Sequence, residues 1–286
     1  MPRAHDEGTS MQTSIAQMVA LCCHGNAIAH GNQPPPFFPA NSTCQFCESI
    51  LFTVGGKSES GEAIAVPFAH SPDEWMQGLQ RRGILGFRLH QRAQNHPQIS
   101  DRNSSAFVGG GRLWRIEAVR KGASSEFWLS KWEVGDRNAP DRRIWRVTYG
   151  LIEVSRTAPM PLRPLEEIIA ELRLALVAIR VFAEANNCAN FIPSFDQALR
   201  ALENPEADIG YHKDLFIPGT LTIAAQSLLK AAQSAWVFGG MGSWNDMGFS
   251  GELQNEYERV SERLFDLLNE SVEAAATSSA AYSMTG

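Results

Sequence analysis

Two cysteines separated by two residues, Cys44 and Cys47, have the spacing with which a pair of thiolates grips one metal ion. Earlier Cys and His side chains could complete a tetrahedral site, so the candidate zinc ligands are Cys22, Cys23, His24, Cys44 and Cys47. The second Cys-x2-Cys pair that is usual in a zinc ribbon does not occur, and buried reduced thiols are the alternative interpretation. A structural zinc ion is the one cofactor that the sequence suggests.

Tryptophan and arginine side chains are concentrated in three strand-like segments, residues 112–120, 125–134 and 143–154. Aromatic rings can stack on bases while basic side chains hold phosphates, which is the basis of a nucleic-acid hypothesis. Its candidate contacts are Arg115, Trp128, Trp132, Arg143, Trp145 and Arg146. Alternation of apolar and charged residues favours a simpler alternative, a sheet with one buried face and cross-strand ion pairs on the other.

A glycine-rich segment, residues 236–249, combines glycines with a hydroxyl, an amide and a carboxylate between large apolar residues. Its candidate binding residues are Gly240, Gly242, Ser243, Trp244, Asn245 and Asp246. We expect Gly239, Gly240 and Gly242 to have positive φ angles, and Asp246 to reach back to the backbone N–H of Ser243. The segment is therefore either a tight corner between two helices or a cradle for a ligand, and the structural role is favoured.

The stretch Gly239-Gly240-Met241-Gly242-Ser243-x-Asn245-Asp246 resembles the signature of a family of uncharacterised bacterial helical domains. In that family the motif lies between an amphipathic helix and a final helix. The resemblance covers the last third of the chain and implies a shape, without catalytic residues, because the family has no assigned activity.

The histidines form no catalytic motif, since His-Glu-x-x-His is absent and no serine lies in a nucleophile elbow. Residues 91–111 are polar and include three consecutive glycines, so we expect a long loop or a mobile lid there. His90 and His96 lie near its glycine-rich part, residues 101–111. A hydrolase-type enzyme of unknown substrate is the third functional hypothesis. It predicts a pocket that holds these histidines together with an acid.

Charge is distributed unevenly along the 286 residues. Residues 81–163 carry 16 basic and 7 acidic side chains, whereas residues 164–286 carry 7 basic and 17 acidic ones. Such an asymmetry suits either two parts that attract each other or a middle segment that meets an anionic partner. No run of about 18 apolar residues occurs, so no membrane partner is expected, and the odd number of cysteines favours the reducing cytoplasm.

The elements predict an α+β fold: an N-terminal mixed region with an antiparallel β-meander, followed by a C-terminal helical bundle. A first helix over residues 12–24 should end at Gly25, and Ser71 should cap a helix that ends near Gly83. We expect four later helices, over residues 165–186, 194–202, 220–238 and 252–276.

The predicted units are an N-terminal segment (1–48) with the metal half-site, a β-rich basic domain (49–156), an acidic helical domain (165–273) and a disordered tail (274–286). Three prolines mark residues 157–164 as the linker between the two larger units.

The favoured function is that of a bacterial interaction protein with a protein partner, of a toxin-neutralising or conflict-system kind. The absence of a complete catalytic motif and the acidic helical end support this hypothesis, since an acidic face can steer a basic partner. The alternative is a zinc-stabilised nucleic-acid-binding protein.

Overall fold

A computed structural model of the chain describes residues 11–58, 60–94, 96–107, 109–120, 124–155, 163–204, 206 and 212–281. The strands are β1 (Cys47–Lys57), β2 (Ala63–Ala69), β3 (Ile84–Arg92), β4 (Leu113–Arg120), β5 (Ser125–Val134) and β6 (Trp145–Ser155). The helices are α1 (Thr13–Ala29), α2 (Pro72–Arg81), α3 (Asp101–Ser104), α4 (Leu165–Ala185), α5 (Ile192–Glu203), α6 (Ile223–Ser234) and α7 (Glu252–Ala281). The α+β fold expected from the sequence is confirmed.

All six strands form one sheet in the order β2-β1-β6-β5-β4-β3. Strands β3 to β6 make an antiparallel meander, and β1 joins it through a parallel pairing with β6 in which Cys47 lies opposite Trp145. As a result β1, β4 and β6 begin at the same end of the sheet, where β5 ends. No strand is predicted for residues 84–90, which form most of β3.

Helix α1 lies in the core, between the sheet and the helical half of the chain. Every residue from Ile15 to Ala27 is buried, and the helix packs on both β3 and α7. The predicted end of this helix at Gly25 is wrong, because the helix continues to Ala29. Gly25 instead allows close packing: a Cβ atom there would lie 2.5 Å from the ring of Phe87.

The outer edge of β3 is closed by side chains of α1 and α7. Asn26 bonds both the N–H and the C=O of Phe87, at 2.6 and 2.9 Å, and Thr277 Oγ1 bonds both groups of Leu89 at 3.0 Å. Glu273 accepts from the N–H of Gln91 at 3.2 Å. These bonds satisfy backbone N–H and C=O groups at alternate residues of β3. Without them, this edge strand could pair with a strand of another chain.

Helices α4 to α7 form the expected bundle, with two differences in length. Helix α6 ends at Ser234, four residues before the predicted end, and residues 236–238 continue without helical structure. Helix α7 extends to Ala281, and Ala274, Ala275 and Ala276 are buried, so residues 274–281 of the expected tail are helical. The predicted linker lies mostly outside the described residues, and none of the described helices is long and apolar enough to cross a membrane.

Candidate functional site

A pocket of about 560 Å³ lies where the sheet, α1 and the helical half of the chain meet. We call it the junction pocket. Its walls are the first turns of α1, the turn before β1, the loop before β4, the adjoining ends of β4, β5 and β6, and residues 238–240. A volume of this size is within the range of small-molecule sites, which are typically about 300–1,000 Å³.

One wall of the junction pocket is aromatic. Trp132 and Trp145, on neighbouring strands β5 and β6, have ring centroids 6.0 Å apart with ring planes at 70°. Trp114 on β4 and Phe238 add further apolar surface and are almost completely buried. The indole N–H groups of Trp114 and Trp132 are buried and have no hydrogen-bond partner in the described part of the chain.

Ser42 and His212 line another wall, and Asp214 behind them completes a polar group. The Ser42 hydroxyl donates to one carboxylate oxygen of Asp214, while its backbone N–H donates to the other at 2.8 Å. Ser42 Oγ also lies 2.9 Å from His212 Nδ1. A hydroxyl has one hydrogen, and Asp214 receives it, so His212 Nδ1 must carry the hydrogen that Ser42 Oγ accepts.

This arrangement differs from that of a serine nucleophile, in which the imidazole takes the serine hydrogen. Burial lowers the pKa of His212 to about 4, although Asp214 opposes this shift, so the imidazole is neutral at pH 7. His24 Nε2 and the Asn41 amide both lie 2.9 Å from the backbone oxygen of Asp214. The group therefore fixes residues 212–214 against the turn at Asn41 and Ser42.

The loop before β4 is anchored by Arg102, whose side chain is fully buried. Its guanidinium donates to Asn245 Oδ1 at 3.0 Å and to Glu262 at 2.9 Å, and it contacts Glu258. The Asn245 amide returns a bond to the backbone oxygen of Arg102 at 3.0 Å. Residues 101–104, which were expected in a loop or lid, form helix α3. The bonds of Arg102 tie this helix to both the glycine-rich corner and α7.

The glycine-rich corner has mainly a packing role. Of its six candidate binding residues, only Gly240 lines the junction pocket. Trp244 is fully buried and donates from Nε1 to Ser261 Oγ at 2.7 Å. The expected positive φ occurs at Gly242 (82°) and is wrong for Gly239 and Gly240. Asp246 accepts from the N–H of Gly242 at 2.5 Å, not from that of Ser243 as predicted.

Two of the candidate metal ligands already have polar partners: His24 Nε2 lies 2.9 Å from the backbone oxygen of Asp214, and Cys47 Sγ lies 3.6 Å from Gln17 Nε2. The thiols of Cys22, Cys23, Cys44 and Cys47 are all buried, and burial raises the pKa of Cys44 to about 12 and that of Cys47 to about 11. Within the described residues, no group of three or more His, Cys, Asp or Glu side chains is placed to hold a metal ion. The geometry thus gives the zinc hypothesis no support.

The aromatic and basic residues of the nucleic-acid hypothesis lie on opposite faces of the sheet. Trp128 is fully buried against Phe52 and Trp75. Side chains alternate along a strand, so Arg146 lies on the face opposite Trp145, where it bonds Glu48 at 2.8 Å.

The same alternation puts Arg115 on the face opposite Trp114. There its guanidinium bonds Glu153 at 3.2 Å and lies 4.2 Å from the centroid of the Phe127 ring. Arg143 precedes β6 and lies 3.9 Å from Asp141. The six residues therefore do not form one surface.

His90 has the predicted acidic neighbour but not the predicted pocket. Its Nε2 lies 2.7 Å from Glu117 Oε2, on the face of the sheet opposite α1. Neither His90 nor His96 lines the junction pocket, and His212 is the histidine found there.

Sequence reasoning missed Ser42, Arg102, His212 and Asp214. The polar run Asn41-Ser42-Thr43 and the pair Ser100-Asp101 are signals for helix starts, and both side chains, Asn41 and Ser100, do cap short helices. The pairing of Ser42 with His212 spans 170 residues, and no local pattern indicates it.

Comparisons with known proteins give no relative: no family model matches the chain, and no curated protein or solved structure is significantly similar to it.

Proposed function

We propose that this protein binds a small organic molecule with a flat, apolar body in the junction pocket. The single observation that carries the proposal is a pocket of about 560 Å³ with three tryptophans in its wall. Rings that meet at a steep angle, as Trp132 and Trp145 do, let a planar ligand stack on one ring and meet the edge of the other. Gln45 and Ser130 also line the pocket and supply polar contacts that would orient the ligand.

A substitution at Gly240 tests the pocket without disturbing the core. Gly240 lines the pocket, has no positive φ, and has no atom within 4 Å of the position of an added Cβ. Phenylalanine at this position should therefore be tolerated by the backbone and should obstruct the pocket. Gly248 has the same freedom but does not line the pocket, so Gly248→Phe is the matched control.

The assay is a ligand-observed NMR screen of planar bicyclic aromatic compounds, followed by tryptophan fluorescence titration of the compounds that bind. We expect binders whose affinity falls at least tenfold in Gly240→Phe and is unchanged in Gly248→Phe. A screen without binders, or binders that are indifferent to Gly240→Phe, contradicts the proposal.

The interaction function expected from the sequence is a second proposal, and the open edge strand β2 favours it. Ile64 and Val66 on this strand are 42% and 37% exposed, and in the described residues no side chain bonds its outer edge as Asn26 and Thr277 bond β3. We propose that an extended segment of a partner protein, apolar at alternate residues, pairs with β2. A toxin-neutralising role is a narrower form of this proposal.

Charge on the edge strand tests the second proposal. Ile64→Lys should abolish capture of the partner from a bacterial lysate, because a charge at an edge opposes strand pairing. Leu85→Lys, at a residue that is 44% exposed on the opposite edge strand, should leave capture intact. Amides of residues 63–69 should also exchange more slowly in the complex, and unchanged exchange there contradicts the proposal.

A further inference from the structure

The outward face of α4 carries a continuous apolar stripe. Its three large members, Leu174, Val177 and Val181, are 70%, 45% and 56% exposed. The alanines of the same face are also exposed, so the stripe consists of Ala170, Leu174, Val177, Ala178, Val181 and Ala185. These positions recur every three or four residues, which is the spacing of a helix face that packs against another helix. Burial of the bundle core does not explain this face, because the buried residues of α4 lie on its other side.

The stripe is symmetric about its own midpoint, between Val177 and Ala178. Reversing the chain direction about that point exchanges Ala170 with Ala185 and Leu174 with Val181. When two copies of α4 pack antiparallel, Leu174 therefore meets Val181 and Ala170 meets Ala185, while Val177 meets Ala178 at the centre. Such self-complementarity is what a two-fold symmetric interface requires.

The charged residues beside the stripe fit the same arrangement. Arg173 and Glu184 flank the stripe on one side, and the two-fold axis places Arg173 of one copy within two residues of the level of Glu184 of the other, about 3 Å along the helix. Their present ion pairs, with Glu203 and Arg180, are partly exposed and can rearrange at little cost. A parallel pair would instead bring both acidic first turns together, with Glu166 and Glu167 of each copy adjacent.

We propose that this protein forms a homodimer through an antiparallel pair of α4 helices. The occupant of the stripe is a second copy of the chain, because the stripe and its flanking charges complement themselves. The seam between Ala170 and Ala185 is about 23 Å long. This inference is independent of the ligand pocket and of strand β2.

Sedimentation velocity from 1 to 300 µM tests the dimer. The wild type should shift from monomer to dimer, and Leu174→Glu should remain monomeric throughout. Ile223→Glu is the matched control, because Ile223 is 69% exposed but lies on α6, outside the stripe. A wild-type monomer at every concentration, or a dimer that Leu174→Glu leaves intact, overturns the proposal.

The register is tested by exchanging charges and by crosslinking. Arg173→Glu and Glu184→Arg should each weaken dimerisation at least threefold, and the double variant should restore it because each pair joins two copies. A mixture of Ala170→Cys and Ala185→Cys chains should crosslink under mild oxidation, whereas Ala170→Cys alone should not. Restored affinity with mixed crosslinks supports the antiparallel pair, while additive losses or self-crosslinking of Ala170→Cys refutes it.

Discussion

Replacing Gly25 with alanine places a methyl group where the ring of Phe87 already lies. The added Cβ would be 2.5 Å from Phe87 Cε2 and 2.6 Å from Cδ2, far inside van der Waals contact. Phe87 is 3% exposed and packs against the ring of Trp75, so its ring has no free space into which to move. Substitution therefore forces α1 and β3 apart or strains the side chain.

Two opposing effects decide the magnitude. Alanine in a helix interior is favoured over glycine by about 0.5–1 kcal/mol, because glycine has more freedom to lose on folding. Overpacking of a filled core costs about 1–3 kcal/mol. We therefore expect Gly25→Ala to lower the free energy of unfolding by about 1–2 kcal/mol, measured by urea denaturation followed by far-UV circular dichroism.

Two further variants isolate the cause. Gly78→Ala adds the same methyl group to α2, where the nearest atom would be Phe68 Cζ at 3.2 Å on a half-buried ring, so its effect should be close to zero or slightly stabilising. Phe87→Ala removes the ring atoms that clash, and its combination with Gly25→Ala should cost about 1 kcal/mol less than the sum of the single changes. A Gly25→Ala protein more stable than the wild type, or strict additivity in the double variant, would refute the packing of α1 on β3.

Two other predictions concern the glycine-rich corner and the polar wall of the pocket. Gly242→Ala should lower the free energy of unfolding by about 1 kcal/mol because its φ is 82°, whereas Gly240→Ala should be neutral in the same urea assay; equal effects would contradict the backbone assignment. Burial lowers the pKa of His212 to about 4, below the value near 6.5 of an unfolded chain, so its contribution to stability is complete above about pH 6.5 and is lost as the pH falls towards 4. The His212→Asn variant keeps a donor for Ser42. Between pH 7 and pH 4.5 its free energy of unfolding should fall by about 2–3 kcal/mol less than that of the wild type, and an unchanged pH dependence would contradict this role.

Local patterns predicted most of the elements. Ser71, Pro72 and the acids after them mark the start of α2, and the Ser71 side chain does cap it by accepting from the N–H of Glu74 at 3.1 Å. Alternation predicted β4, β5 and β6 to within two residues at each end. These predictions succeeded because caps and strand alternation depend on near neighbours in the chain.

Tertiary contacts account for the errors. Gly25 is typical of a helix end, but its role depends on Phe87, which approaches from a strand 62 residues further along the chain. Trp128 and Trp145 have the same composition signal, yet one lies in the core and the other in the pocket wall. Whether a tryptophan lies in the core or in the pocket wall depends on its position along the strand and on which elements pack there. Composition does not predict either of these.

The parallel pairing of β1 with β6 explains why residues from three separate hypotheses meet at one pocket. Because the two strands run in the same direction, Cys47 and Trp145 lie side by side at their starts. The turn that contains Ser42 comes directly before β1 and therefore lies at the same end of the sheet. The antiparallel β5 brings Trp132 to the same end, opposite Val147. Helix α1 also begins at this end of the sheet. The loop before β4 lies there as well, and its Arg102 bonds Asn245 of the glycine-rich corner, whose Gly240 lines the pocket. The metal, nucleic-acid and ligand-cradle hypotheses were each based on residues from a different part of this one region. They were kept separate because adjacency across a sheet depends on strand order and not on spacing along the chain.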